Sequence, residues 1–395
     1  MEINAAMDKE LIERIIARGY KPEDDCFDNP IIGHPKNKYT RMLVTDVVTS
    51  EWNSSSRGAL KCLKNDIRKY KDFSNFIEDI WNEPLELLEA QIILATGMAF
   101  FATEELLNHK DFHQSEIQQI QINISLAKGV LRLFNRAILV ALEICHLLRG
   151  GYPFGAKARF RLLYELEIIS AFMMVVSKTE KGKNIGQGYV DYEKVEEFKR
   201  CEIKIKSLES YIKQLNEKLT EITLGQDRDN MLEDLEKFKK MLSAATKDRE
   251  SAKANVDKLK SKYKCKYFDR QYGWAKPFAK INTFSDIQNN VDRAWGILWT
   301  EGSIEVHGGA AGSSFPKNSP QDNCMCIGPT DLGFAEIISD TSIALETLSY
   351  TLAEAMQNKE LLLCAHIGYG LTSLSQHRLP LVLANHPMDN IKPTK

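Results

Sequence analysis

The sequence predicts an all-α protein: a helical bundle interrupted by a long antiparallel coiled-coil hairpin, with a partly irregular N-terminal region. Three observations predict it. Gly (22) and Pro (12) are sparse in 395 residues. Apolar residues recur three and four apart through most of the chain, the spacing of one helix face. One stretch, 193–263, combines dense alternating charge, no proline and two apolar seams.

The N-terminal region, 1–114, opens on an amphipathic helix over 8–18, which Asp8 can cap and Gly19 can end. Loop signals dominate 20–56, around one strand-like run, Met42–Val48. Helical spacing resumes near 57 with Leu60, Leu63, Ile67 and Tyr70. Pro84 then fits the first turn of a new helix running to about His109, since its missing N–H costs nothing there. The first half of the bundle, 115–192, starts with a long helix over 115–148 that stops at Gly150-Gly151 before Pro153. A helix over 155–177 follows, with the stripe Leu162, Leu166, Ile169, Met173 and Val176.

In the arm, 193–263, Leu208, Ile212, Leu215, Leu219 and Ile222 form one seam; Met231, Leu235, Phe238, Leu242, Ala245, Ala252, Val256 and Leu259 form the other. Gly225–Asp229 breaks the pattern between them, which predicts two antiparallel helices. Its 17 Lys/Arg against 15 Asp/Glu read as a solvated face rather than a phosphate track. The second half of the bundle, 264–360, begins with an aromatic, loop-like stretch, Phe268–Phe284. A helix over 285–307, a Gly/Ser/Pro-rich loop over Gly308–Pro329 and a helix over 331–357 follow. The C-terminal tail, 361–395, is mixed.

Composition limits the function classes. Lys+Arg (52) and Asp+Glu (54) leave a net charge of −2, which argues against a protein built to coat nucleic acid or an anionic membrane. The N-terminus has no apolar leader core, and the longest apolar runs are shorter than a membrane span. The expectation is a cytoplasmic protein with reduced thiols and no membrane partner. Phosphate-loop, dinucleotide and nucleophile-elbow motifs are absent, and Cys324-Met325-Cys326 lacks zinc spacing, so neither cofactor nor metal is expected.

Two features carry candidate chemistry. Lys157, Arg159 and Arg161 crowd the first two turns of the 155–177 helix, where the helix dipole disfavours cations by ~0.3–1 kcal/mol each. Arg159 extends the apolar stripe, so its guanidinium belongs at the core rim and needs a partner. That partner is either a carboxylate lock, from Glu165, Glu143 or Glu167, or a bound anion. The second feature is Ser303-Ile304-Glu305-Val306-His307, which puts Ser303 and His307 on one helix face. His307 is either a titratable acid–base group or a terminal His satisfying carbonyls. If the two helices pack antiparallel, Arg159 and His307 share one end of the bundle, Ser303 and Glu165 lie a turn deeper, and Arg149 approaches from the loop. Arg149, Lys157 and Arg161 are then the anion-binding set, and His307, Arg159, Glu165 and Ser303 the catalytic candidates.

The blocks Leu147-Leu148-Arg149-Gly150-Gly151-Tyr152, Gly155–Arg159 and Leu163–Leu166 resemble the opening of an uncharacterised, mainly bacterial family, the domain of unknown function five-six-seven-seven. Gly188–Tyr192, Tyr272–Ala275 and Ser303 with Val306–Gly309 fit the same order, and the resemblance covers roughly 120–360. It implies a helical fold and no established reaction. More loosely, a helical bundle with core Arg and His resembles the HEPN superfamily, which includes metal-independent ribonucleases of toxin–antitoxin and anti-phage systems. Their signature is an Arg followed four to six residues later by a His, and none of the eight His here has it. That resemblance therefore implies a split site, with Arg159 or Arg161 meeting His307, for RNA or phosphate.

The leading expectation is a non-enzymatic binding or effector protein of the bacterial cytoplasm, in a stress or anti-phage setting. It associates with itself or a protein partner through the arm. The alternative is the HEPN-like ribonuclease.

Overall fold

The computed structural model describes residues 59–108, 123–221, 226–291 and 331–385. Among them the chain is helical, without a strand: α1 (Ala59–Asn108), α2 (Ile124–Arg149), α3 (Pro153–Ser177), α4 (Ile185–Asp191), α5 (Glu193–Glu221), α6 (Gln226–Lys262), α7 (Phe284–Asn289), α8 (Phe334–Met356) and α9 (Lys359–Ala384). The readings over 8–18 and Met42–Val48 lie outside the described residues.

Pro84 does not start a helix. It lies inside the continuous 50-residue α1. Packing overrides the missing hydrogen bond: Trp81, Leu85 and Leu88 around it are buried, and Trp81 donates its indole N–H to Asp331 at 3.0 Å. The helix expected from 115 instead begins at Ile124, because Asn123 caps it, accepting from the Leu126 amide at 3.1 Å. At the next corner the stop signals also act as a start. Gly151 takes a positive φ of 78°, which reverses the chain, and Pro153 sits in the first turn of α3.

α3 is buried on more than the one predicted stripe. Phe160, Leu163, Tyr164, Ile168, Phe172 and Met174 are buried alongside Leu166, Met173 and Val176, because α2 and α8 both pack against it. α8 also meets α1 and α2, and α9 lies antiparallel along α1. That pairing is set by Gln91 donating to Thr372 (3.0 Å) and by the Glu83–Arg378 ion pair (3.1 Å). The tail expected to be mixed is thus largely a packed helix.

α5 and α6 run antiparallel, with Tyr211 against Phe238 (centroids 5.2 Å) and Glu202 near Arg249 (3.9 Å). Leu208 and Leu219 of one face, and Leu235, Ala245, Ala252, Val256 and Leu259 of the other, are buried between them or at their root. Of the expected break Gly225–Asp229, Gly225 lies outside the described residues, as do 222–224, and Gln226–Asp229 form the first turn of α6 rather than a turn between the helices. The aromatic stretch after the arm has no long helix, as expected, yet it is core. Phe268 stacks on Tyr263 at 4.7 Å, and Trp274 meets the edges of Phe172 and Tyr189.

Of the helix expected over 285–307, the described part is α7, which ends at Asn289 with Asn290 as its C-cap; residues 292–307 lie outside the described residues. Its start is sharp because Thr283 and Asp286 form a reciprocal capping box. α7 does pack on α3 across the arm insertion: Gln288 donates to the Tyr164 hydroxyl at 2.9 Å, and Phe284 meets the Tyr164 ring.

Candidate functional site

The predicted cations surround the α2–α3 corner, and the arginines there lie against carboxylates. Arg149, at the end of α2, donates its Nε–H to Glu89 Oε1 of α1 at 2.6 Å. That bond holds the Glu89 carboxyl below its ordinary range and raises Arg149 further. Cys145, one turn earlier, reaches the same oxygen at 3.5 Å, and burial beside this carboxylate pushes its thiol up to about 12. Cys145 is thus a packed thiol rather than a nucleophile.

Arg159 pairs with Glu143 of α2, one of the three carboxylates expected for a lock; the pair is partly exposed. Arg161 pairs within its own helix with Glu165 at 3.3 Å. The Glu165 and Arg161 charges also act on Tyr272, whose hydroxyl is raised first by burial and then by Glu165. Glu167 is buried in α3, and Lys157 is half-buried in its first turns. The three arginines therefore engage carboxylates on three different helices, α1, α2 and α3. His307 and Ser303 lie outside the described residues, and with them the expected meeting of Arg159 and His307.

Replacing Arg149 with Ala should cost about 1–2 kcal/mol, the worth of a partly buried charge-assisted bond. Because Glu89 is depressed in the folded state, its contribution is present above its unfolded pKa, near 4.3–4.5, and disappears as pH falls through the lower folded value. Denaturant midpoints at neutral and acid pH should therefore converge between wild type and Arg149→Ala on acidification. A constant gap would assign the loss to packing alone.

Two carboxylates were missed by sequence reasoning. Asp191 closes α4 at the root of the arm. It accepts from Lys262 Nζ (2.6 Å), the Tyr263 hydroxyl (2.8 Å) and Gln187 Nε2 (2.7 Å). Burial pushes its carboxyl up, but these three donors together leave it below the usual range. The only sequence signal was its place between two tyrosines before the charged arm. Asp340 lies in α8, where burial and then Glu336 one turn away raise its carboxyl to about 6. It stands between the apolar residues Ile337, Ile338, Ile343 and Ala344 of that helix, which was the available signal.

The sign for Asp340 is opposite to that for Glu89. Its folded state holds the proton more tightly, so stability is full below pH ~4 and declines as pH rises through 6. Asp340→Asn should raise stability at pH 8 by ~1–2 kcal/mol, after discounting for solvent screening, and should change nothing near pH 4. Equal melting temperatures at pH 8 would refute this.

Among the described residues no group of three His, Cys, Asp or Glu is placed to hold a metal ion. One stretch, Asn75–Asn108, is long and apolar enough to cross a membrane by length and composition, but it is partly buried against the other helices. No curated protein and no solved structure matches the chain. The span from α2 through the arm to the segment beyond α7, residues 127–316, matches the model of a family described as a family of unknown function (DUF5677).

Proposed function

We propose that this chain is a non-enzymatic binding or effector protein that associates through its arm. The observation that carries the reading is the construction of the arm's root. Asp191, Lys262 and Tyr263 tie the two ends of the arm together, while Tyr192 donates to the Arg270 carbonyl at 2.6 Å and Lys260 pairs with Asp269 at 2.7 Å. A merely tolerated insertion needs no such anchoring. A surface that must be presented at a fixed angle does. The pairing of Arg149, Arg159 and Arg161 with carboxylates supports the same reading, since these ion pairs compete with any anion for the guanidinium groups. The setting proposed for it is the bacterial cytoplasm, under stress or phage attack.

The arm is rich in lysines, so amine-reactive cross-linking of the full chain in its host cells, read by mass spectrometry, tests the reading. Intermolecular links should concentrate on residues 194–262. Links that avoid the arm while reaching lysines elsewhere would remove it.

A further inference from the structure

The outer side of the bundle carries an apolar panel that the arm does not involve. α1 has no charged residue from Ala90 to Thr103, and α9 has none from Leu361 to Gln376 apart from His366. These stretches, ~21 and ~24 Å long, lie side by side. Gln91 meets Thr372, and a side chain added at Gly368 would touch Leu94. Their buried edges are explained by that contact; their outward faces are not. Ile93 is 71% exposed, Phe100 70% and Leu363 62%, and Leu107, Ile367 and Leu374 are also exposed. Leu139 and Leu142 of α2, the helix on the other flank of α1, are exposed too. Gly97 and Gly370 leave open space above the backbone.

We infer that a second copy of this chain covers this panel, α1 and α9 of one protomer against α1 and α9 of the other. Three arguments select that occupant. Eight large apolar side chains, each at least two-fifths exposed, exceed the singly scattered apolar residues of an ordinary surface and reach the scale of the ~800 Å² per partner of a stable interface. A two-fold interface requires a surface complementary to itself, and a neutral apolar panel meets that requirement without charge matching. A lipid surface would favour a basic collar. The edge of this panel is of mixed sign rather than basic: exposed Glu86 and Glu104 stand with exposed Arg136 and Lys359, and Arg378 is already paired to Glu83.

Sedimentation equilibrium of the full chain tests the assignment. Wild type should sediment as a dimer. Phe100→Glu combined with Ile367→Glu should weaken association by ~100-fold or more, because two carboxylates would be buried without partners. Circular dichroism of that variant should match wild type, and its melting should match that of wild type diluted below its dimer dissociation constant, since both positions are exposed in the single chain. Ile93→Glu provides an independent variant should the double change misfold. A wild-type chain that stays monomeric overturns the inference, as does a dimer indifferent to the panel changes. A dimer abolished by Ile203→Glu with Tyr211→Glu on the arm, but not by the panel changes, assigns self-association to the arm and likewise overturns it. A monomer that floats with neutral or anionic phospholipid vesicles gives the panel to lipid and overturns it too. Because panel and arm variants are separate, failure here leaves the arm reading standing.

Discussion

Gly186→Ala should cost at least ~3 kcal/mol and lower the melting temperature by ~6–12 °C. α4 crosses the first turn of α2 at backbone contact distance. A Cβ at Gly186 would stand 2.4 Å from Leu126 Cα and 2.5 Å from its amide nitrogen. Those atoms belong to a capped helix start, held by Asn123, and cannot swing aside as a flexible side chain would. Either α4 lifts away or α2 unwinds, and both routes open core around Leu126 and Ile185. The built-in control is Gly97→Ala in α1, where nothing lies within 4 Å. There, in the dissociated chain, the change should stabilise by ~0.5–1 kcal/mol through helix propensity. Paired thermal melts check both signs. A Gly186→Ala protein melting within a degree or two of wild type would show that the α2–α4 contact is not tight.

Asp191→Ala should cost ~1–3 kcal/mol, most of it from leaving the Tyr263 hydroxyl and Gln187 without their acceptor, since the half-exposed Lys262 ammonium regains water. The Asp191 side chain is 12% exposed and accepts three hydrogen bonds, so water cannot readily replace it. The loss should be focused at the arm's root. Amides near Val195, Val256 and Leu259 should exchange faster, while those of α8 should change little. Tyr263→Phe, which removes one donor, should cost only ~1 kcal/mol. The pH dependence has a defined sign. The folded pKa is depressed, so the stabilisation is present above the unfolded value near 3.9 and vanishes as pH falls through the folded one. Wild type and Asp191→Ala should therefore converge in acid. Uniformly faster exchange throughout the bundle would make Asp191 a general core residue rather than the anchor of the arm.

Local periodicity made the helices legible. Of the two predicted seams, Leu208, Leu219, Leu235, Ala245, Ala252, Val256 and Leu259 are buried, while Ile212, Leu215, Met231, Phe238 and Leu242 are half-buried, as expected where an amphipathic face has a single helix for partner. Where several helices surround one, the stripe ceases to inform, and α3 shows this: Phe160, Tyr164, Ile168 and Phe172 are buried outside the predicted face. Local signals also failed where packing outweighed them. Pro84 is a breaker by propensity, yet α1 passes through it because buried Trp81, Leu85 and Leu88 hold both sides.

The candidate site divides along the same line. The cation-rich start of α3 and the need of Arg159 for a partner were readable from residue types and spacing. The choice of Glu143 among three nearby carboxylates was not, nor was the choice of Glu89, sixty residues before Arg149. A charge calls for compensation wherever it stands, and that demand is written in the sequence. Which group answers it depends on how the helices are rotated and stacked, and that was decided only by tertiary packing.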